Sequence, residues 1–276
     1  MTPIEQDVVR HWTHGSLEEA IRNGLIAAGL SLERLQPDDL APVDEFHMGG
    51  RDATVHLAEG LGLKEGMSVL DIGSGIGGPA RFFASRYGCR VTGIDVTPEY
   101  VQVAGSLTAM VGLTDRVTFR IGSATALPFD AESFDAATLI HVSMNIADKE
   151  KLCAEVARAV KPQAVFGLYE VMRTADGDLS YPVPWAETPA LSILATPLAY
   201  RQALERNGFE VMAEENRRDF ALDFFHRVRK RISESGLPPL GIHLHMGPSA
   251  AEKIANMVVN LERGLIAPVE MICRRR

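Results

Sequence analysis

The stretch Val69-Leu70-Asp71-Ile72-Gly73-Ser74-Gly75-Ile76-Gly77-Gly78 concentrates the chemistry of this chain. An apolar run leads into a glycine turn that opens a helix. Glycines let the backbone bend sharply and let a ligand come close to the amides. A helix start adds unpaired N–H groups. Gly73, Gly75 and Gly78 satisfy G-x-G-x-x-G, which taken alone points to a dinucleotide. Asp71 shifts that weighting. A carboxylate where the strand meets the turn repels a pyrophosphate and favours a ligand with a cationic amino group.

S-adenosylmethionine has such a group, together with a sulfonium and no phosphate. Asp95 ends the next strand, where a carboxylate can accept both ribose hydroxyls; dinucleotide enzymes share that feature. His141 follows the fourth strand, in Leu139-Ile140-His141-Val142-Ser143-Met144-Asn145. Ligands bind at the carboxyl edge of an α/β sheet. An imidazole there can take a proton near neutral pH, or it can orient a loop and pack on the cofactor.

These residues need a scaffold, and the alternation of runs supplies one. Apolar runs of about five to seven residues at Ser68–Ile72, Arg90–Asp95, Val117–Ile121, Phe134–Ile140 and Val165–Val171 alternate with helical stretches at Gly77–Tyr87, Pro98–Val111 and Lys149–Val160. Such alternation predicts an α/β fold with a doubly wound, mostly parallel sheet. Downstream, Thr196–Arg206 reads as a helix, Phe209–Ala213 as a strand, 220–264 as two helices, and Val269–Cys273 as a last, antiparallel strand. Upstream, Ser16-Leu17-Glu18-Glu19 has the capping-box pattern of a helix running through Leu25. Leu35–Val43 reads as a linker. The expected division is a helical N-terminal cap (1–60), an α/β core (61–216), a helical lid insertion (217–267), and a last core strand with tail (268–276).

The bulk numbers agree with an enzyme core. The 276 residues carry 28 Lys+Arg against 36 Asp+Glu, a net charge of −8, and are 46% hydrophobic. An acidic excess disfavours nucleic acid, and the hydrophobic content excludes a disordered chain. No apolar run reaches the ~20 residues of a membrane span. No secretory signal is expected. Cys89, Cys153 and Cys273 are scattered, which fits a reducing, cytoplasmic setting.

With these motifs in place, the chain resembles the class I S-adenosylmethionine-dependent methyltransferases. Val69–Gly78 matches their first motif and Gly93-Ile94-Asp95-Val96 their second. Gly122-Ser123-Ala124-Thr125-Ala126-Leu127-Pro128-Phe129, followed by Phe134-Asp135, matches a third. The resemblance covers roughly Leu61 to Ala213 plus the last strand, and it implies a seven-stranded Rossmann-like sheet with an antiparallel last strand. It also implies that Asp71, Gly73, Ser74 and Gly75 line the methionine end of the cofactor. Asp95 would hold the ribose, Val96 would pack on the adenine, and Ala124 would offer its backbone to the adenine edge. The family commonly has an acidic residue at position 123, accepting from the adenine amine. Here Ser123 accepts without charge assistance, a loss of about 1 kcal/mol. Phe46-His47-Met48-Gly49-Gly50 resembles the pre-core segment of phosphoethanolamine-type N-methyltransferases. That likeness implies that Phe46, His47, Met48 and Gly49 close over the cofactor.

The expected reaction is in-line methyl transfer to a nitrogen or oxygen of a small-molecule metabolite, with His141 and His47 facing the transfer. A carbon of a quinone or isoprenoid-like acceptor is the first alternative. An NAD-dependent oxidoreductase is the alternative of another class, and a non-catalytic nucleotide-binding module a weaker one. Tyr181-Pro182-Val183-Pro184-Trp185 can wall a pocket. His243 and His245, on one face if Ile242–Met246 is extended, lack a third ligand, so no metal is expected. The basic run Arg217, Arg218, Arg227, Arg229, Lys230 and Arg231 reads as a solvated helix face. The expected partner is a small-molecule methyl acceptor, with no nucleic acid and no membrane span.

Overall fold

Apolar central runs, flanked by largely exposed edge strands, assemble as one sheet of seven strands. The computed structural model describes residues 1–276. Four helices come first: α1 (Pro3–Trp12), α2 (Leu17–Ala27), α3 (Ala41–Asp44) and α4 (Arg51–Leu61). The alternating body follows as β1 (Ser68–Ile72), α5 (Gly78–Tyr87), β2 (Arg90–Asp95), α6 (Pro98–Met110), β3 (Val117–Ile121), β4 (Phe134–Ile140), α7 (Lys149–Ala159) and β5 (Val160–Arg173). The chain ends with α8 (Pro197–Arg206), β6 (Phe209–Asn216), α9 (Arg218–Ser235), α10 (Ala250–Glu262) and β7 (Ile266–Arg275).

The sheet order is β3-β2-β1-β4-β5-β7-β6. The first five strands pair in parallel, and β7 runs antiparallel between β5 and β6. Order reverses beside β1, so the carboxyl ends of β1, β2 and β4 open onto one crevice. Leu70, Ile72, Ile94, Leu139, Leu168 and Met271 lie in the larger core on one face; Leu57, Leu61, Val69, Phe83, Val91 and Ala136 fill the other. Each such side chain contributes roughly 1.5–3 kcal/mol by leaving water.

Several expectations change on contact with the structure. Residues 37–44 are a 3₁₀ turn followed by α3, not a linker, because Leu40 and Val43 are drawn into a cluster with Leu17, Ile21 and Leu25. Ser16 makes no capping hydrogen bond. The Glu99 carboxylate accepts from the amides of His14, Gly15 and Leu17 instead, at 2.6, 3.0 and 3.1 Å. Strand β5 starts at Val160, before Pro162, with an irregular register opposite Phe134 and Ala136. Residues 242–245 form a 3₁₀ turn rather than an extended segment. Helix α1 went unread, although Thr2 and Glu5 complete a capping box around Pro3.

Candidate active site

The glycine turn between β1 and α5 is held open by its neighbours. Gly73 sits at φ 67°, and a Cβ there would lie 2.3 Å from Val142. Gly75, at φ 53°, has nothing within 4 Å of an added Cβ, so its Cα borders free space. Asp71, 2% exposed, accepts from the Thr138 hydroxyl at 2.9 Å. Its second oxygen, Oδ2, is buried without a partner. Burial pushes the Asp71 carboxyl up to about 7, against the Thr138 hydrogen bond and with help from Asp95 and Glu45. A buried carboxylate oxygen with no cation beside it is the complement of an ammonium group.

Asp95 closes the turn from the neighbouring strand, accepting from Gly75 N–H at 2.9 Å and Thr97 N–H at 2.8 Å. Each oxygen keeps a lone pair for a hydroxyl. Val96, Ser123, Ala124 and Thr125 continue the wall. The Ser123 hydroxyl is already engaged: it donates to Glu5 Oε1 of α1 and accepts from Thr125 N–H at 3.1 Å.

Past β4 the loop turns through His141, which adopts φ 52°. That is a strained position for a non-glycine residue, and such strain collects at functional sites. Its N–H donates to Tyr169 O at 2.8 Å. Glu170 takes Val142 N–H and Ser143 N–H, each at 2.9 Å, and Lys149 Nζ donates to Ser143 O at 2.7 Å. The loop is thereby fixed, with the His141 ring stacked on Tyr169 (centroids 5.0 Å, 19°) and its Nε2 buried without a partner. The His47 ring stands edge-on at 6.0 Å. His47 Nε2 lies 3.0 Å from Gly50 O and 3.0 Å from Thr54 Oγ1. A carbonyl only accepts and Thr54 gives its proton to Glu45 at 2.6 Å, so Nε2 carries the hydrogen and Nδ1 keeps the lone pair. Burial holds both imidazoles neutral: His47 is lowered to about 4, and His141 well below its ordinary value.

These groups share one cavity of about 320 Å³. Trp12, Phe46, Met144, Trp185, Phe225 and Met257 form an aromatic and aliphatic part of its wall. None of the residues lining the cavity is Lys or Arg. Of the sequence-predicted site, Phe46, His47, Met48, Asp71, Gly73, Ser74, Gly75, Asp95, Val96, Ser123, Ala124 and His141 all line it. Gly49 does not; its Cα is packed beneath the Phe220 ring of α9. Pro184 and Trp185 are wall residues. His245 reaches the cavity, stacked on Phe46 at 4.8 Å, but its Nε2 and Nδ1 are taken by Val43 O and Tyr100 Oη. Both contacts join distant segments, which suits a clasp. His243 lies outside. Arg217 pairs with Glu215, and Arg218 donates to the Leu261 and Glu262 carbonyls. Glu5, Val8, Trp12, Phe224 and Phe225 were not anticipated as wall residues, because only the folded chain carries α1 and α9 over the crevice.

Fold and site together define an α/β domain with a crevice at the carboxyl ends of β1, β2 and β4, lined by the glycine turn, Asp71 and Asp95. Residues 70–168 match the family described as "Methyltransferase domain". The chain carries a class I S-adenosylmethionine-dependent methyltransferase domain, and S-adenosylmethionine is the cofactor of that domain. It is 38% identical over 119 residues to a sterol 24-C-methyltransferase of Gibberella zeae, covering 43% of this chain and 31% of that protein. Matches span under half the length of the first curated relatives (31%, 32% and 46%). Among solved structures, the 4+2 cyclase SpnF superposes with TM-score 0.68 at 23% identity, covering 100% of this chain and 97% of that one. A phosphoethanolamine N-methyltransferase of Haemonchus contortus, solved with S-adenosylmethionine, gives TM-score 0.74 at 19% identity, with 100% and 60% covered. At these identities the two structures speak to the fold.

Proposed function

We propose that this chain transfers a methyl group from S-adenosylmethionine to a carbon atom of an uncharged, largely apolar small molecule. The observation that carries the reading is the aromatic and aliphatic part of the cavity wall, in a cavity free of Lys and Arg and also lined by two neutral histidines. A phosphorylated acceptor finds no cationic partner there. The curated relatives that match the core, sterol C-methyltransferases among them, support carbon over nitrogen or oxygen.

When bound, the cofactor supplies an electrophilic methyl on a sulfonium. Asp71 and the amides of the glycine turn would hold its amino-acid end, and Asp95 its ribose. Phe46 and Met48 cover it, with Val96 and Ala124 along the base. The rest of the work is alignment and exclusion of water, which an apolar wall provides. Methyl addition to an alkene or enol carbon leaves a proton to be removed. His47 Nδ1 is the lone pair that accepts it, with Nε2–H steadied by Gly50 O and Thr54. An imidazole held near 4 is too weak a base for a neutral hydroxyl or an ammonium. It is strong enough for an acidic, electron-deficient carbon centre. His141 and Tyr169 present stacked π faces beside it. In this reading residues 1–60 and 217–267 form the cover, and 61–216 with 268–276 form the body that holds the cofactor.

The nitrogen or oxygen acceptor expected first from the sequence becomes the second reading. The deciding experiment incubates the protein with methyl-¹³C-labelled S-adenosylmethionine and a panel of apolar alkenes, enols, phenols and amines. New carbon-bound methyl signals are expected. Label found only on oxygen or nitrogen would replace this reading with the second one. Ring closure without label transfer would align the chain with the cyclase that shares its fold.

A further inference from the structure

Helix α1 crosses the mouth of the crevice and sets one carboxylate into its wall. Glu5 lines the cavity beside Val96, Ala124 and Thr125. Its Oε2 accepts from Thr2 N–H at 2.6 Å, and its Oε1 accepts from the Ser123 hydroxyl. Each oxygen retains a further lone pair. Burial works to raise its pKa, but the hydrogen bonds from Ser123 and Thr2 outweigh burial and keep it below the usual carboxylate value. Glu5 is therefore an anion at neutral pH.

The other carboxylates in the wall are committed. Asp71 stands at the glycine turn. Asp95 holds the Gly75 and Thr97 amides. Asp44 pairs with Arg81, and Asp148 caps α7 through Lys151 N–H. Ser123 cannot serve instead, since its proton goes to Glu5 and its oxygen faces Thr125 N–H and, at 2.9 Å, Thr125 Oγ1. Beyond Asp95, along the wall of residues 122–125, Glu5 is the strong acceptor left.

We propose that Glu5 accepts a hydrogen bond from the exocyclic amine of the cofactor's adenine, so that a residue far from the glycine-turn motif selects the base. The inference rests on the cofactor assignment made above. Selection follows from chemistry: an amine donates to a carboxylate, whereas a purine with hydrogen at that position leaves the anion without a partner.

The test compares binding of S-adenosylhomocysteine with its 6-desamino analogue by titration calorimetry. Wild-type protein should prefer the amine by about tenfold, and Glu5→Ala should hold the two within about twofold of each other. In the Glu5→Ala background, Ser123→Asp should return the preference by restoring a carboxylate on that wall. Circular dichroism confirms that α1 remains folded. An equal loss of both ligands in Glu5→Ala would reduce Glu5 to a tether for α1 and overturn the proposal. A wild-type protein that binds neither ligand would overturn the cofactor assignment, a separate and recognisable failure.

Discussion

Asp71 and Thr138, side by side on β1 and β4, are joined by a single hydrogen bond of 2.9 Å, and the carboxylate oxygen left over faces no donor. The pair divides one acid between structure and ligand. Thr138 fixes the orientation, and the free oxygen is the one the proposed function sets against the cofactor's ammonium.

Cofactor affinity should depend on pH through this acid. The empty site holds Asp71 near 7, and an adjacent ammonium would lower that value. The empty site thus binds a proton that the complex does not, so affinity falls as pH drops below 7 and levels off above it. The slope approaches tenfold per pH unit. Calorimetry with S-adenosylhomocysteine from pH 5.5 to 8 reads this directly. Asp71→Asn should bind about 10- to 100-fold more weakly with the slope removed. A slope that survives the substitution would assign the dependence elsewhere.

His47 and Thr54 should separate in kinetics. His47→Ala removes the proposed proton acceptor, so kcat should fall by about 10²–10⁴ with cofactor binding little changed. Thr54→Val leaves the Gly50 carbonyl in place and should cost far less. Loss confined to S-adenosylmethionine KM in His47→Ala would make that ring a cover for the cofactor.

Gly73→Ala and Gly75→Ala should fail in different ways. Both place an L side chain at positive φ, a strain of roughly 1–3 kcal/mol. At Gly73 the new methyl also collides with Val142, so melting temperature should drop most there. At Gly75 it meets only cavity space, so ligand affinity should drop most. Differential scanning fluorimetry with and without S-adenosylhomocysteine distinguishes the two.

Arg81 should be a stability residue. Its guanidinium and the Asp44 carboxylate are each 1% exposed, 2.5 Å apart, with further bonds to Ile76 O and Thr108. Arg81→Ala leaves Asp44 buried without its partner, at a cost of about 3–5 kcal/mol in urea denaturation. A loss under 1 kcal/mol would mean that water reaches Asp44.

The strands β1 to β4 were legible at their observed bounds because each is a short run rich in apolar and β-branched residues, although β3 at the sheet edge is largely exposed. The glycine turn, Asp71, Asp95 and His141 were legible because each sits at or just past the end of a strand that the local pattern marks. What escaped depends on distance. Glu99 caps α2 from 82 residues away, which no local pattern at Ser16 can announce. His245 finds Val43 across 202 residues, so its ring lines the cavity while its nitrogens are tied to Val43 and Tyr100. Lys161-Pro162 resembles a stop, yet the sheet carries Val160 into the ladder opposite Phe134. Glu5 is the sharpest case, since its carboxylate matters through Ser123, 118 positions later.

Helix α1 also bears on the acceptor end, where Trp12 meets Phe46 edge-on at 5.4 Å and His11 Nε2 lies 3.0 Å from Pro184 O. One rod therefore leans on both compartments at once. A movement of α1 would open or close both parts of the cavity wall together.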